Sequence, residues 1–279
     1  MDNSKVWYIT GASKGMGLSL VKALLANGHK VAATSRTTAA LTGAVGIQSN
    51  FLAMEVDLTS DESVAQSMKD TADTFGRIDV VVNNAGYGMG GALEELTATE
   101  INENFEVNFL AAVRVIQQAM PYLRGQRSGH IINISSIAGF APGTGWSVYA
   151  AAKFAISGLS EALANDLKPL GISVTAVSPG WFRTSFAKAE SISFGKKQIA
   201  DYQYIREGHD KFKQTDGTQA GDPDKVAAVL MTLVGHPHPP VNLFLGSDAF
   251  NRAEGKIEQL SAEMKEWESV TRSTDFVNG

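Results

Sequence analysis

Residues Val6–Gly28, VWYITGASKGMGLSLVKALLANG, read as a strand, a glycine-rich turn and a helix in direct succession. Val6 to Thr10 is a short apolar run of the kind a buried parallel strand needs. After Gly15 and Gly17, the residues Leu18, Val21, Leu24 and Leu25 recur at helical spacing, and Gly28 stops the helix. Between strand and helix, Gly11, Ser13, Lys14, Gly15, Met16 and Gly17 form a turn whose backbone N–H groups can approach an anion at the helix N-terminus. The spacing is G-x-x-x-G-x-G, not the G-x-G-x-x-G of the general dinucleotide fingerprint. A glycine turn alone serves plain turn geometry equally well. Its position between strand and helix is what points to a phosphate.

The same rhythm repeats along the chain. Strands are expected at Val31–Thr34, Phe51–Val56, Ile78–Val82, Ile131–Ile134, Ile172–Val177 and Asn242–Leu245. Thr59 with Glu62 predicts a capping box for a helix ending at Gly76, and Thr97 with Glu100 one for a long helix ending at Pro121. Tyr149 opens a further helix that Pro169 and Gly171 stop. Alternating strands and helices imply a parallel sheet with helices on both faces, and right-handed crossovers leave the doubly wound arrangement as the expected fold. The whole chain, 1–279, is expected to form a single dinucleotide-binding domain.

Two regions depart from that rhythm. From about Ser185 to Gly221 the chain is polar with interspersed aromatics, and a connection of this length predicts a lid over a site. Asp222-Pro223 then restarts a helix as cap and first-turn proline. The C-terminal helix, expected over 248–270, carries Phe250, Ala253, Ile257, Leu260, Met264 and Trp267 at alternating three and four spacing. That stripe suits docking on its own domain, a wall over the site, or a subunit interface. The expected assembly is a homodimer or homotetramer.

Composition narrows the function classes. A net charge of −5 argues against a nucleic-acid or anionic-membrane surface. No apolar run approaches a membrane span, and MDNSKVWYIT lacks the apolar core of a secretory signal, so a cytoplasmic protein is expected. With no cysteine, disulfides, thiolate metal sites and a cysteine nucleophile are excluded. The five histidines are scattered, and His236 and His238 in GHPHPP read as a solvated turn; no metal site is expected.

At the end of the second strand, where an acid would bond a ribose 2′-hydroxyl, stand Ser35 and Arg36. A guanidinium there can pair with a 2′-phosphate, and Lys14 adds a second cation, so NADP(H) is favoured over NAD(H). The plainer reading is two solvated surface cations. Asp57, ending strand three, can accept from an adenine amino group or simply form a turn. Further on, IINISSIAGFAPGTGWSVYAAAKFAISGL (Ile131–Leu159) ends a strand in Ser135-Ser136 and starts a helix with Tyr149 and, four residues on, Lys153. A hydroxyl, a phenol and an ammonium brought together can hold, protonate and tune a carbonyl oxygen. An ordinary amphipathic helix also contains such a pair.

With these pieces assembled, the sequence resembles the short-chain dehydrogenase/reductase family, and in its ancillary regions the bacterial ketone and steroid reductase-like branch. TGASKGMG at Thr10–Gly17, NNAG at Asn83–Gly86, Ser136, YAAAK at Tyr149–Lys153 and SPG at Ser178–Gly180 carry the resemblance, in the family's order. It implies a Rossmann-like fold and a hydride transfer between the nicotinamide cofactor and a ketone or secondary alcohol. It also implies Ser136, in preference to Ser135, as the serine beside Tyr149 and Lys153, with Asn108 of VNFL as fourth member. Asn84, Ala85 and Gly86 would border the adenosine half of the cofactor, Pro179 and Gly180 of the SPG turn would also bind the cofactor, and Thr184 would touch the carboxamide. Lys153 would lower the pKa of the phenol and bond the nicotinamide ribose.

Phe140, Trp146, Trp181, Phe182 and Phe186 flank these motifs and either line an apolar pocket or pack as core. No cluster of cations awaits a charged substrate, so an apolar or aromatic ketone is expected. The competing readings are a cofactor-binding regulator without catalysis and an epimerase or dehydratase on the same fold.

Overall fold

The computed structural model describes residues 4–184, 186 and 191–276. Its strands are β1 (Val6–Ile9), β2 (Lys30–Ser35), β3 (Phe51–Glu55), β4 (Val80–Asn83), β5 (Gly88–Gly90), β6 (Gly129–Ile134), β7 (Ile172–Pro179), β8 (Ile192–Phe194) and β9 (Asn242–Leu245). The helices are α1 (Gly15–Ala26), α2 (Thr38–Val45), α3 (Asp61–Phe75), α4 (Ala98–Phe105), α5 (Ala111–Gln126), α6 (Ser147–Leu167), α7 (Gln203–Gln214), α8 (Pro223–Gly235), α9 (Ser247–Glu266) and α10 (Glu268–Arg272).

Seven strands form one parallel sheet in the order β3-β2-β1-β4-β6-β7-β9. Strand residues alternate between its faces, as the pleat requires. Trp7 and Ile9 face α1 and α8, whereas Val6 and Tyr8 face a layer of α3, α5 and α6. The doubly wound fold is therefore observed. Strand order reverses between β1 and β4, and their C-terminal ends open the crevice where ligands sit in such sheets. No described helix is long and apolar enough to cross a membrane.

Several local expectations are corrected. The cap of α3 is Ser60, which accepts from the Ser63 N–H, because Thr59 spends its N–H and hydroxyl on Asp57 Oδ1. Helix α5 runs through Pro121 to Gln126. Proline removes the bond to the Gln117 carbonyl, but both residues lie exposed, where water takes over the freed oxygen. Helix α2, which has only Leu41 buried, gives no periodic signal in the sequence.

The 185–221 insertion contributes β8 and α7. Strand β8 pairs with β5 as a separate two-stranded parallel sheet, and an isolated bridge from Phe182 to Gly221 closes the insertion's base. The start of α9 packs on the body through Ala249 and Ala253, with Ile137, Phe140 and Phe244. Beyond Lys256 every described residue is exposed, so the outer stripe does not dock on its own domain.

Candidate active site

The glycine turn is shaped by contacts that exclude side chains. A Cβ on Gly11 (φ +62°) would lie 2.7 Å from Ala85 Cα, and one on Gly17 would lie 2.6 Å from Asn84 Nδ2. Asn84 donates to the carbonyls of Thr10 and Gly11, while Thr10 Oγ1 accepts from the N–H groups of Asn84 and Ala85. The ends of β1 and β4 are thereby locked together. Lys14 is the N-cap of α1 and caps no N–H with its side chain, and the first turn holds no acid, so the helix end suits an anion. Ser13 and Met16 lie half-buried in this turn. The Lys14 ammonium reaches Ser191 Oγ at 2.8 Å, on the insertion. Arg36 is exposed just past β2. Asp57 accepts from Thr59, whose hydroxyl and N–H hold its carboxyl below the usual range.

The two serines after β6 diverge. Ser135 is buried against α6, donating to the Lys153 carbonyl at 3.0 Å and meeting Ser157 Oγ at 2.9 Å. Ser136 caps the short turn Ile137–Gly139, accepting from the Ala138 N–H at 3.1 Å, and its hydroxyl stands beside the phenol of Tyr149. Helix α6 is seated by a buried chain in which Asn83 Nδ2 donates to Asn133 Oδ1 (2.8 Å) and Asn133 Nδ2 to Ser160 Oγ (2.9 Å). This places Tyr149 and Lys153 on the face turned to the sheet, both buried.

Burial pushes the Tyr149 phenol up to about 12, against the smaller lowering effect of the Ser136 hydroxyl, and brings the Lys153 ammonium down to about 8. The expected lowering of the phenol by Lys153 is absent from the protein alone: Lys153 Nζ bonds Ile134 O at 2.9 Å and stands 5.9 Å from the tyrosine ring centroid.

Asn108 lies in a π-helical turn, Glu106–Leu110, between α4 and α5. Its Oδ1 accepts from the Tyr87 N–H (3.2 Å), and its Nδ2 donates to the carbonyls of Tyr87 (3.0 Å) and Asn104 (3.1 Å). Gly86 joins the groups: a Cβ there would lie 2.6 Å from Asn108 Oδ1 and 3.3 Å from Lys153 Nζ. At the end of β7, Pro179 pairs with Leu245, and the space around Gly180 is filled by the Asp248 carboxylate, which accepts from the Trp181 N–H at 2.8 Å. Thr184 approaches Gly15, its Cβ 3.7 Å from where that glycine's Cβ would be. Residues of the cradle, the β6 and β7 ends, α6 and the π turn thus converge on one crevice.

Of the five aromatics, Trp146 and Phe186 pack with Tyr149, at 6.2 and 6.0 Å between ring centroids. Trp181 meets Phe212 of α7. Phe140 instead packs on Phe244 under α9, and Phe182 on the α1–α8 side of the sheet, so neither lines the pocket. Sequence reasoning missed His209, which meets Trp146 edge to face (4.9 Å) and whose Nε2 lies 3.1 Å from the Gly145 carbonyl oxygen. It also missed Glu95, whose buried carboxylate collects the Ile199 N–H and Arg206 and so fastens α7 beside the site. A lone histidine and one acid in a polar stretch give no pattern to find.

Comparison with known proteins decides the family. The short chain dehydrogenase model matches residues 5–193. The chain belongs to the short-chain dehydrogenase family. Among family relatives, "Oxidoreductase BOA17" of Botryotinia fuckeliana is 34% identical over 96% of this chain and 98% of its own. A "3-ketodihydrosphingosine reductase" of Bacteroides thetaiotaomicron is 35% identical over 94% of this chain and 93% of its own. The crystal structure of a short-chain dehydrogenase from Streptomyces avermitilis superposes with a TM-score of 0.90 at 36% identity, covering 98% of this chain and all of that one. Other solved structures of the fold hold NAD or an NADP derivative. The protein is an oxidoreductase of this family.

Proposed function

We propose that the protein reduces a ketone to a secondary alcohol with NADPH, or runs the reverse, with Tyr149 as the general acid and base. The observation that carries this reading is that Asn108 and Lys153 meet at Gly86 while Ser136 stands beside Tyr149, one helical turn before Lys153, next to a glycine turn suited to a pyrophosphate.

The cradle fits the cofactor chemically: side chains are excluded at Gly11 and Gly17, the α1 N-terminus is free of acids, and Arg36 waits exposed for a 2′-phosphate. When bound, the nicotinamide supplies or takes the hydride. Gly11 to Gly17 would hold the pyrophosphate, Asn84 to Gly86 and Asp57 would border the adenosine half, and Thr184, with Pro179 and Gly180 at the end of β7, would serve the carboxamide end. Lys153 fixes the ribose.

On the protein side, a phenol raised to about 12 is fully protonated at neutral pH, which is the form a proton donor must have. Because Ser136 Oγ already accepts from Ala138, its hydrogen is directed outward, toward the phenol or a substrate oxygen on which charge develops. For Tyr149 to lose its proton near pH 7, about 7 kcal/mol of added stabilisation is needed, at ~1.36 kcal/mol per unit. The Lys153 ammonium, 5.9 Å from the ring in a dry crevice, is the protein's nearest means. Asn108, fixed to Tyr87, shapes the lysine side of the proton path.

Trp146 and Phe186 beside Tyr149 favour an apolar or aromatic substrate. The relative named for a 3-ketodihydrosphingosine is in keeping with a ketone. A panel of ketones and alcohols with each nicotinamide cofactor tests the reading. In Tyr149→Phe, turnover falls about 10³-fold while cofactor affinity is unchanged. Retained turnover in that variant overturns the mechanism, and an unproductive panel with tight NADPH binding favours a regulator.

A further inference from the structure

Beyond Ala253, helix α9 leaves the body of the protein. Its stripe continues outward with Ile257 55%, Leu260 40%, Met264 74% and Trp267 59% exposed, and Phe250 at the base is 59% exposed. A helix segment of this length without tertiary support is marginal in water. An apolar seam on it calls for a partner.

The charges flanking the seam identify that partner. Written as heptads, Phe250, Ile257 and Met264 fall at a, and Ala253 and Leu260 at d, with Trp267 capping the helix at the next d position. If a second copy of the helix lies antiparallel with its Leu260 against Ile257, then its Trp267 meets Phe250 and its Met264 reaches the level of Ala253. In that register Lys256 faces Glu263 of the second copy, and two-fold symmetry makes the pair twice. Glu254 faces the uncharged Ser261.

Each neighbouring antiparallel register brings like charges together. Sliding one heptad outward sets Glu263 against itself, and sliding inward sets Lys256 and Glu254 each against itself. A parallel pair leaves Lys256 opposite the uncharged Ser261 and forms no ion pair within α9. Since Ala253 is already covered by its own body, the tip of the second helix rests on Phe250 and the half-buried Phe140, Ala141 and Phe244.

We infer that α9 is a dimerisation helix whose partner is α9 of a second copy of this chain, antiparallel, with Ile257 on Leu260 and reciprocal Lys256–Glu263 ion pairs. One carboxylate oxygen of Glu263 is bonded by Gln259, which holds its side chain along the helix edge.

The test uses the full native chain. A carbodiimide joins carboxylate to amine only at contact, and within one helix Lys256 and Glu263 are about 10 Å apart along the axis. A covalent dimer containing a Lys256–Glu263 peptide link is therefore expected. By sedimentation, Lys256→Glu and Glu263→Lys each weaken dimerisation about tenfold, and the double reversal recovers it to within about threefold. Ile257→Asp, with unchanged circular dichroism, abolishes the 256–263 link. A chain that stays monomeric at micromolar concentration, dimers lacking that link, or a double reversal whose losses add overturns the inference.

Discussion

Lys153 gives its ammonium to the carbonyl oxygen of Ile134, 2.9 Å away, the last residue of β6. The bond ties α6 to the strand end that leads into Ser136. It also keeps a cation in a place so dry that burial lowers its pKa to about 8. The unfolded chain, with an ordinary lysine, holds more protons between pH 8 and 10.5. Stability contributed by this group therefore rises with pH across that window, by up to about 3 kcal/mol. Above pH 10 Tyr149 acts in the opposite sense, because the folded state then retains the extra proton. Urea unfolding at a series of pH values checks this, and Lys153→Met should remove the rising limb.

Acid should weaken the fold through His130. Its ring is buried on β6, lies 3.0 Å from Thr175 Oγ1, and is brought down to about 4 by desolvation. The unfolded state takes up a proton first as pH falls from 6.5 toward 4, with a loss of about 3 kcal/mol by the end of that window. In His130→Gln the acid limb of the stability curve should be shallower. An unchanged limb would assign the sensitivity to other groups.

Gly86 is where a single methyl should do most damage. Gly86→Ala puts a Cβ 2.6 Å from Asn108 Oδ1 and 3.3 Å from Lys153 Nζ. The Asn108–Tyr87 bonds must give, costing about 1–3 kcal/mol of stability. Turnover should fall about 10²-fold, since the displaced groups are those proposed to orient the proton path. Parallel thermal unfolding and steady-state kinetics separate the two losses.

The proposed preference for NADPH rests on Arg36. Arg36→Asp should weaken NADPH binding about 10²-fold by removing a charge-assisted contact and adding a like charge, with little change for NADH. Fluorescence titration with both cofactors measures the difference. Equal losses would remove the case for a 2′-phosphate site.

The sheet was legible because fully buried strands such as VVVN at β4 and IINI in β6 must be continuous apolar runs between turn formers. The crevice was legible because glycines and short polar motifs close those strands. What escaped was set by tertiary contact. Pro121 reads as a helix stop, yet an exposed carbonyl makes the interruption harmless. Phe140 and Trp146 are alike in sequence, six residues apart in one loop, and only the position of α9 sends Phe140 away from the pocket. The Lys153–Ile134 bond involves a backbone oxygen, to which no side-chain motif points.

The two-stranded pairing of β5 with β8 joins residues about a hundred positions apart, through a ladder of only three residues on each side. Closing so long a chain for so few bonds is slow and yields little until the surrounding aromatics are packed. The strand that follows Asn84-Ala85-Gly86 therefore acquires its partner late, after the seven-stranded sheet has formed. Amide exchange at Gly88 and Gly195 should accordingly outpace that of β6 and β7, with the β5–β8 ladder opening while the seven-stranded sheet remains intact.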